Sequence, residues 1–407
     1  MCLLSIFVAG FCAGTNSQEI SAPVMTPATA AGTRYVQAWG SNINGQLGNG
    51  STVNAGRPVK VHLPAGTRVT QLRAGCEFTL ALTSAGQVLA WGGNNEGQLG
   101  NGSDTAASLP VKVRLPAGTR ITAIRAGCRH GLALTATGQV LAWGSDTNGQ
   151  LGNGTSTDSN TPVRVRLPHG TRVTAISAGE TFSLARTASG KVLAWGSNFD
   201  GELGNGSTAD SDIPVRVRLP GTSKVTSLAA GAFFAVAGTS GGRLYSWGAN
   251  NLGQLGTGSS AESSDVPVRV AISQSHAGPV RSLFAGCGHV LALFSPRLLL
   301  AWGVNKYGEL GIGSITPFSN VPVKVHLPAG RKIKAVSASC TDSLALTAGG
   351  YVLAWGDNSM DQLGDDGGPD PGVAPVDVDL PLGWRASSLG AGPDARSGFA
   401  LVYKVKA

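Results

Sequence analysis

The residues best suited to chemistry in this chain are four cysteines and two histidines that recur in register. Cys76, Cys128, Cys287 and Cys340 occupy one repeated position, and His130 and His289 follow a cysteine by two residues. In an extended segment residues two apart share a face, and thiolate with imidazole is a zinc ligand set. The same face runs on into Leu132 and Leu134, and into Leu291, so it is read as a packing face. Buried thiols and hydrogen-bonded imidazoles are therefore expected, ahead of a disulfide between neighbouring units and of a metal. No serine elbow, paired-carboxylate motif or phosphate loop stands beside the histidines. No catalytic residue, metal or cofactor is assigned, and the chain is not expected to be an enzyme.

A second chemistry is suggested by basic residues alternating with valines: Lys60; Lys112 and Arg114; Arg164 and Arg166; Arg216 and Arg218; Arg269; Lys324. With a formal charge of +8 and pI near 9.4, this belt offers weak attachment to a polyanion, nucleic acid or an anionic cell-wall polymer, through Lys112, Arg114, Arg164, Arg166, Arg216 and Arg218. Such binding would fade steeply with salt. The plainer reading is an outer strand kept soluble and guarded against edge pairing. Asp377 and Asp379 break the belt in the last copy.

These side chains are positioned by a repeat. Tryptophans followed by glycine stand at Trp39, Trp91, Trp143, Trp195, Trp247, Trp302 and Trp355, with spacings of 52, 52, 52, 52, 55 and 53. A period in that range means a solenoid or a propeller. The second copy illustrates four strand-like pieces: Cys76 to Thr83, Gln87 to Trp91, Pro110 to Leu115, and Thr119 to Ile124. Ser84-Ala85-Gly86 and Pro116-Ala117-Gly118 read as turns between them. Four short antiparallel strands per unit make a propeller blade, with the last two pieces expected toward the rim. The Trp-Gly strand Tyr35 to Gly40 lacks its preceding strand, and the chain ends with that piece, Ala391 to Val402. The expected fold is all-β, a closed seven-bladed propeller of four-stranded antiparallel blades, its ring closed by pairing of the N- and C-terminal strands. Repeats fall at about 34–85, 86–137, 138–189, 190–241, 242–296, 297–348 and 349–404. The tryptophans are read as core. Asn-Gly at Asn49, Asn101, Asn153 and Asn205 is read as turns and not as glycosylation acceptors.

The pattern Val-Leu-Ala-Trp-Gly, Asn-x-x-Gly-Gln-Leu-Gly-x-Gly, Pro-Val-x-Val and Ala-Gly-x-x-His-x-Leu-Ala-Leu-Thr resembles the regulator of chromosome condensation repeat, over roughly Tyr35 to Tyr403. The resemblance implies seven blades with each repeat shifted relative to its blade. It also implies, through the family's founding member, guanine-nucleotide exchange on a small GTPase by a protruding hairpin. The largest excess over the common spacing here is three residues, too little for such a hairpin, and residues 1–33 contain no Lys or Arg. A photoreceptor in the family uses clustered tryptophans, whereas only Trp384 lies outside the Trp39 series here.

Comparison among copies points to a protein-binding surface. The two residues fourth and fifth after each tryptophan vary while their neighbours repeat, and successive loops offer Phe199, Leu252, Tyr307 and Met360, to which the sixth adds Ile312, Ile315 and Phe318. On a loop these are expected to be exposed as an apolar arc. Glu77, Arg129, Thr181 and Phe233 would border the same face. The leading reading is a non-enzymatic, monomeric propeller that binds a protein through this face, on the plan of a secreted propeller inhibitor. Residues 1–33 read as a signal-like and flexible leader, because Leu3 to Ala13 is a short apolar run followed by small and polar residues. The protein is thus expected to be exported or at the cell surface of a bacterial-type cell, with the cytoplasm as the alternative. No stretch is long enough to span a membrane.

Overall fold

The computed structural model describes residues 34–221, 224–273, 278–365, 367–368, 370–390 and 397–405. The expected leader, residues 1–33, lies outside them, as does the first part of the C-terminal piece. Strands form where alternating or continuous apolar runs are bounded by glycine turns. Val88–Gly92 is such a run, and it is buried on both faces because neighbouring blades cover both. It pairs antiparallel with Phe78–Thr83, Phe78 opposite Gly92 and Leu80 opposite Ala90. Gly86, at φ +79, closes the hairpin by donating its N–H to Thr83 O at 3.0 Å.

The described residues form seven four-stranded antiparallel sheets. Numbered by their tryptophans, blade II spans Val69–Lys112, III Ile121–Arg164, IV Val173–Arg216, V Val225–Arg269, VI Ser282–Lys324 and VII Ile333–Asp377. Blade I combines both ends of the chain: Arg34–Gly40 lies between Ala55–Lys60 and Ser397–Lys404, and Trp384–Gly390 completes it. The ring is closed in the way the repeat phase predicts.

One expected placement is wrong. The fourth piece of each copy, Thr119 to Ile124 in the second, is not at the rim. Its strand, Ile121–Ala126, is the first of blade III and pairs with His130–Thr135. These first strands touch one another in a full circuit from blade to blade, so they are innermost, and the segments starting at Phe78 or His130 are second from the axis. Both edge strands of a blade are short, alternating and bounded by turns, so sequence pattern alone does not order them. The outer strand carries the Pro-Val-x-Val piece, and proline is tolerated there because an edge N–H has no partner to lose.

Between blades the core is a set of shared clusters. Phe78, Leu80 and Leu99 of blade II pack with Ile121, Ile124 and Trp143 of blade III. All seven tryptophans are fully buried. Each donates its indole N–H to a backbone carbonyl of the preceding blade's loop, as Trp143 does to Gln98 O at 2.9 Å and Trp195 to Gln150 O at 2.8 Å. The closing joint uses the same bond, Trp39 to Gln362 O at 2.9 Å. The fit demands glycine next to the indole: a Cβ on Gly100, at φ +61, would lie 2.8 Å from the Trp143 ring.

Candidate functional site

The loop after each Trp-Gly strand is built on two buried polar side chains, both of them amides in four of the seven copies. Three residues after the tryptophan, Asn94 is buried. Its Oδ1 accepts from Leu99 N at 2.8 Å, and its Nδ2 donates to Ser103 O at 2.7 Å and Thr105 O at 3.0 Å. Asn42, Asn198 and Asn250 do the same. Seven residues after the tryptophan, Gln98 Oε1 accepts from Glu96 N at 3.0 Å. The frame turns the fourth residue outward in every blade: Ile43, Asn95, Thr147, Phe199, Asn251, Lys306 and Ser359 are all exposed. The fifth is drawn in and half-buried in all but one.

This settles where the expected contact residues stand. Phe199 is 84 % exposed, and Leu252, Ile315, Phe318 and Phe233 are 39 %, 53 %, 42 % and 41 % exposed. Tyr307 and Met360 are half-buried, contrary to the expectation of a continuous exposed arc. Each occupies the fifth position, where the backbone N–H is tied to the Glu309 carboxylate or the Gln362 amide oxygen. Met360 Sδ also meets Asn54 Nδ2 of blade I at 3.7 Å. Ile312 is half-buried against the core between blades VI and VII. Strand geometry brings the bordering residues alongside: Gly93 N donates to Glu77 O at 2.8 Å, Ser145 N to Arg129 O at 2.9 Å and Ala249 N to Phe233 O at 2.9 Å. Arg129 forms an ion pair with Glu96 of the neighbouring loop at 2.8 Å.

Sequence reasoning missed three features of this face. First, it is acidic: Glu96, Asp104, Asp158, Asp200, Asp210 and Glu262 all lie on these loops. Asn95, Glu96, Asp104, Asp158, Ser159 and Asn160 line a cleft of about 320 Å³ between two of them. Comparing the charge sign of these loops with that of the outer strands, and not only the net charge, would have found it. Second, Leu109 and Ile213, each before a proline on an outer strand, are exposed. Third, Cys76, Cys128, Cys287 and Cys340 are not the free thiols favoured from sequence. Cys76–Cys128 and Cys287–Cys340 are disulfides joining blades II to III and VI to VII. The equivalent positions of adjacent blades meet around the axis, as the bond from Cys76 N to Cys128 O at 3.1 Å records. Repeat comparison placed these cysteines in register and ranked a bridge between neighbouring units below buried thiols; the structure reverses that order.

The frame has acidic substitutes. Asp146 stands where other copies have asparagine, and burial raises its carboxyl to about 6. Glu202 and Glu309 stand where others have glutamine; burial raises Glu202 to about 7 and pushes Glu309 the same way. Asp342, at the start of a second strand, is raised by burial to about 7 while Ser339 donates to it. The imidazoles at the same strand position behave as expected: His130 Nε2 meets Ser183 Oγ at 3.0 Å and His289 Nε2 meets Ser343 Oγ at 2.9 Å.

Lys112, Arg164 and Arg216 end the outer strands, Arg114, Arg166 and Arg218 follow two residues later, and all six are exposed. Arg114, Arg166 and Arg218 fold over the glycines of their own Asn-Gly turns, where a Cβ on Gly102, Gly154 or Gly206 would come within 2.4–2.6 Å of a guanidinium nitrogen. The Asn-Gly segments are turns, as expected: Asn101 Oδ1 accepts from Ser103 N at 3.1 Å. Among the described residues no helix is long and apolar enough to cross a membrane.

Residues 35–395 match the RCC1-like domain. The chain is 33 % identical to the ultraviolet-B receptor UVR8 of Arabidopsis thaliana over 331 residues, covering 81 % of this chain and 74 % of that one. It is 30 % identical to human E3 ubiquitin-protein ligase HERC2 over 341 residues, which is 83 % of this chain but 7 % of that protein. Among solved structures, Prp20p of Saccharomyces cerevisiae, described with its binding to Gsp1p and histones, superposes with a TM-score of 0.80 at 23 % identity, over 93 % of each chain.

Proposed function

The chain belongs to the RCC1-like domain family, and on that premise we propose that it is a non-enzymatic propeller that binds a protein through its loop face. The observation that carries this reading is the loop frame. Buried amides, with Asp146, Glu202 and Glu309 as acidic substitutes, hold seven loops in one geometry while turning the fourth side chain after each tryptophan to solvent; on blade IV that side chain is Phe199, and on blade V the fifth, Leu252, is exposed as well. Rigid loops presenting exposed aromatic and aliphatic side chains are what a protein interface needs, since little ordering entropy is lost on binding. Ile315, Phe318 and Phe233 extend the apolar part of this surface, Tyr307 and Met360 lie at its half-buried edge, and Arg129 borders it. The acidic loops around it favour a partner with a basic segment. The two disulfides support an exported protein, since such bonds persist in oxidising compartments. We take the protein to act as a monomer.

Pull-down from surface and soluble fractions tests the reading, with Phe199→Ala and a Phe199→Ala/Tyr307→Ala pair as controls. Binding that survives high salt and is lost with Phe199→Ala is expected. Binding abolished by salt and by charge reversal at Arg164, Arg166, Arg216 and Arg218 would instead favour the outer-strand belt and a polyanion. Nucleotide exchange is a further alternative, suggested by the binding of Prp20p to Gsp1p. Acceleration of nucleotide release from a small GTPase would establish it.

A further inference from the structure

The axis of the ring carries a charge pattern that the loop face does not use. At the penultimate position of the innermost strand, five blades have Ser177, Ala229, Phe284, Ser337 and Leu389, whereas the adjacent blades II and III have Arg73 and Arg125. An innermost strand pairs along one edge only, so its other edge faces the axis with unclaimed carbonyls. Both arginines curl back to that edge: Arg73 Nη1 donates to Leu72 O at 2.6 Å and Arg125 Nη1 to Ile124 O at 2.8 Å. Gln71, on the same side of its strand as Arg73, reaches the next innermost strand, donating to Thr122 O at 3.0 Å and accepting from Ile124 N at 3.3 Å. The row of side chains therefore lies between successive innermost strands.

A guanidinium has five N–H donors, yet Arg73 and Arg125 each make a single side-chain hydrogen bond among the described residues. Arg73 Nε is buried with no acceptor. Neither arginine is in an ion pair among those residues. Burial holds both guanidiniums below their ordinary range, Arg125 at about 10, and the charge of Arg125 lowers Arg73 further. Two half-buried cations that repel one another, with donors unspent, lack a counter-charge. The Cys76–Cys128 disulfide lies three residues beyond each arginine and ties the two strands together, so the spacing of the pair is held covalently.

We propose that Arg73 and Arg125 form an oxyanion site at the ring axis, each guanidinium directing N–H donors at one small phosphate- or carboxylate-bearing ligand. The site is separate from the loop face and from the outer-strand belt. The full chain is titrated with inorganic phosphate and, separately, with succinate, chloride being adjusted to hold ionic strength constant while the melting temperature is followed. A saturable rise is expected, with ~tenfold weaker apparent affinity in Arg73→Gln and in Arg125→Gln and no change in an Arg164→Gln/Arg166→Gln pair. Broadening of the phosphate phosphorus resonance by the unsubstituted protein gives a second readout should a variant not fold. The tighter of the two anions identifies the ligand's acidic group. A melting temperature that responds only to ionic strength, a response that survives both glutamine variants, or one lost with the Arg164/Arg166 pair would overturn the proposal.

Discussion

At the scale of single residues, repetition supplies internal controls. Ser183 Oγ donates its proton to Gln150 O at 2.9 Å, so in the contact with His130 the histidine must be the donor. The imidazole is thus the Nε2–H tautomer, its Nδ1 buried without a partner. Burial lowers His130 to about 4. As the unfolded chain takes up the proton near 6.5, this contribution to stability is present above that pH and lost on acidification toward 4. Phe78, Phe182 and Phe234 hold the same position in other blades. His130→Phe is expected to be near neutral at pH 8 and to stabilise by about 2 kcal/mol at pH 5, read from urea unfolding at the two values. Asp146 has the opposite sign. Its folded pKa of about 6 exceeds the unfolded value of 3.8, so the stability it contributes is present in acid and lost as pH rises through 6. Asp146→Asn restores amide donors to the loop and should stabilise by about 2 kcal/mol above pH 7, the gain vanishing below pH 4.

At the scale of elements, the loop frame and the disulfides differ in how far sequence discloses them. Asn-x-x-Gly-Gln-Leu-Gly repeats visibly, and the fixed roles of Asn94 and Gln98 explain why those letters repeat while Phe199 and Leu252 do not. That the fifth position turns inward was not legible, because the bond from Tyr307 N to Glu309 depends on the loop's closure and not on residue type. The disulfides were legible only as the lesser alternative to buried thiols: residues 52 and 53 apart become neighbours only when consecutive blades pack around an axis. Misplacing the innermost strand at the rim hid the proximity of Arg73 and Arg125. Closing a loop of this length removes unfolded-state entropy worth about 4 kcal/mol in the chain-entropy model. Cys76→Ser with Cys128→Ser should therefore lower the melting temperature, and reducing agent should lower that of the parent protein further, since it opens both bridges. Scanning calorimetry with and without reductant checks both statements, and an unchanged melting temperature under reduction would count against bridged blades.

At the scale of the molecule, closure decides whether loops from distant repeats form one face. The tryptophan period and the phase of the two chain ends made closure readable, because a missing strand at one end matches a surplus strand at the other. Blade I confirms it with a seven-residue antiparallel register between Arg34–Gly40 and the strand carrying Tyr403 to Ser397. The closing joint is built like the other six. Trp39 crosses from blade I to Gln362 of blade VII with the same indole bond that Trp195 makes to Gln150 within the continuous chain. If the joint carries equal load, Trp39→Phe and Trp195→Phe should destabilise alike. Each loses a buried hydrogen bond, strands a carbonyl and leaves a cavity, for about 3 kcal/mol in total. An array that opened in solution would expose Trp39 and make its replacement nearly silent while Trp195→Phe kept its full cost. Urea unfolding of the two variants side by side distinguishes a wheel from a broken one.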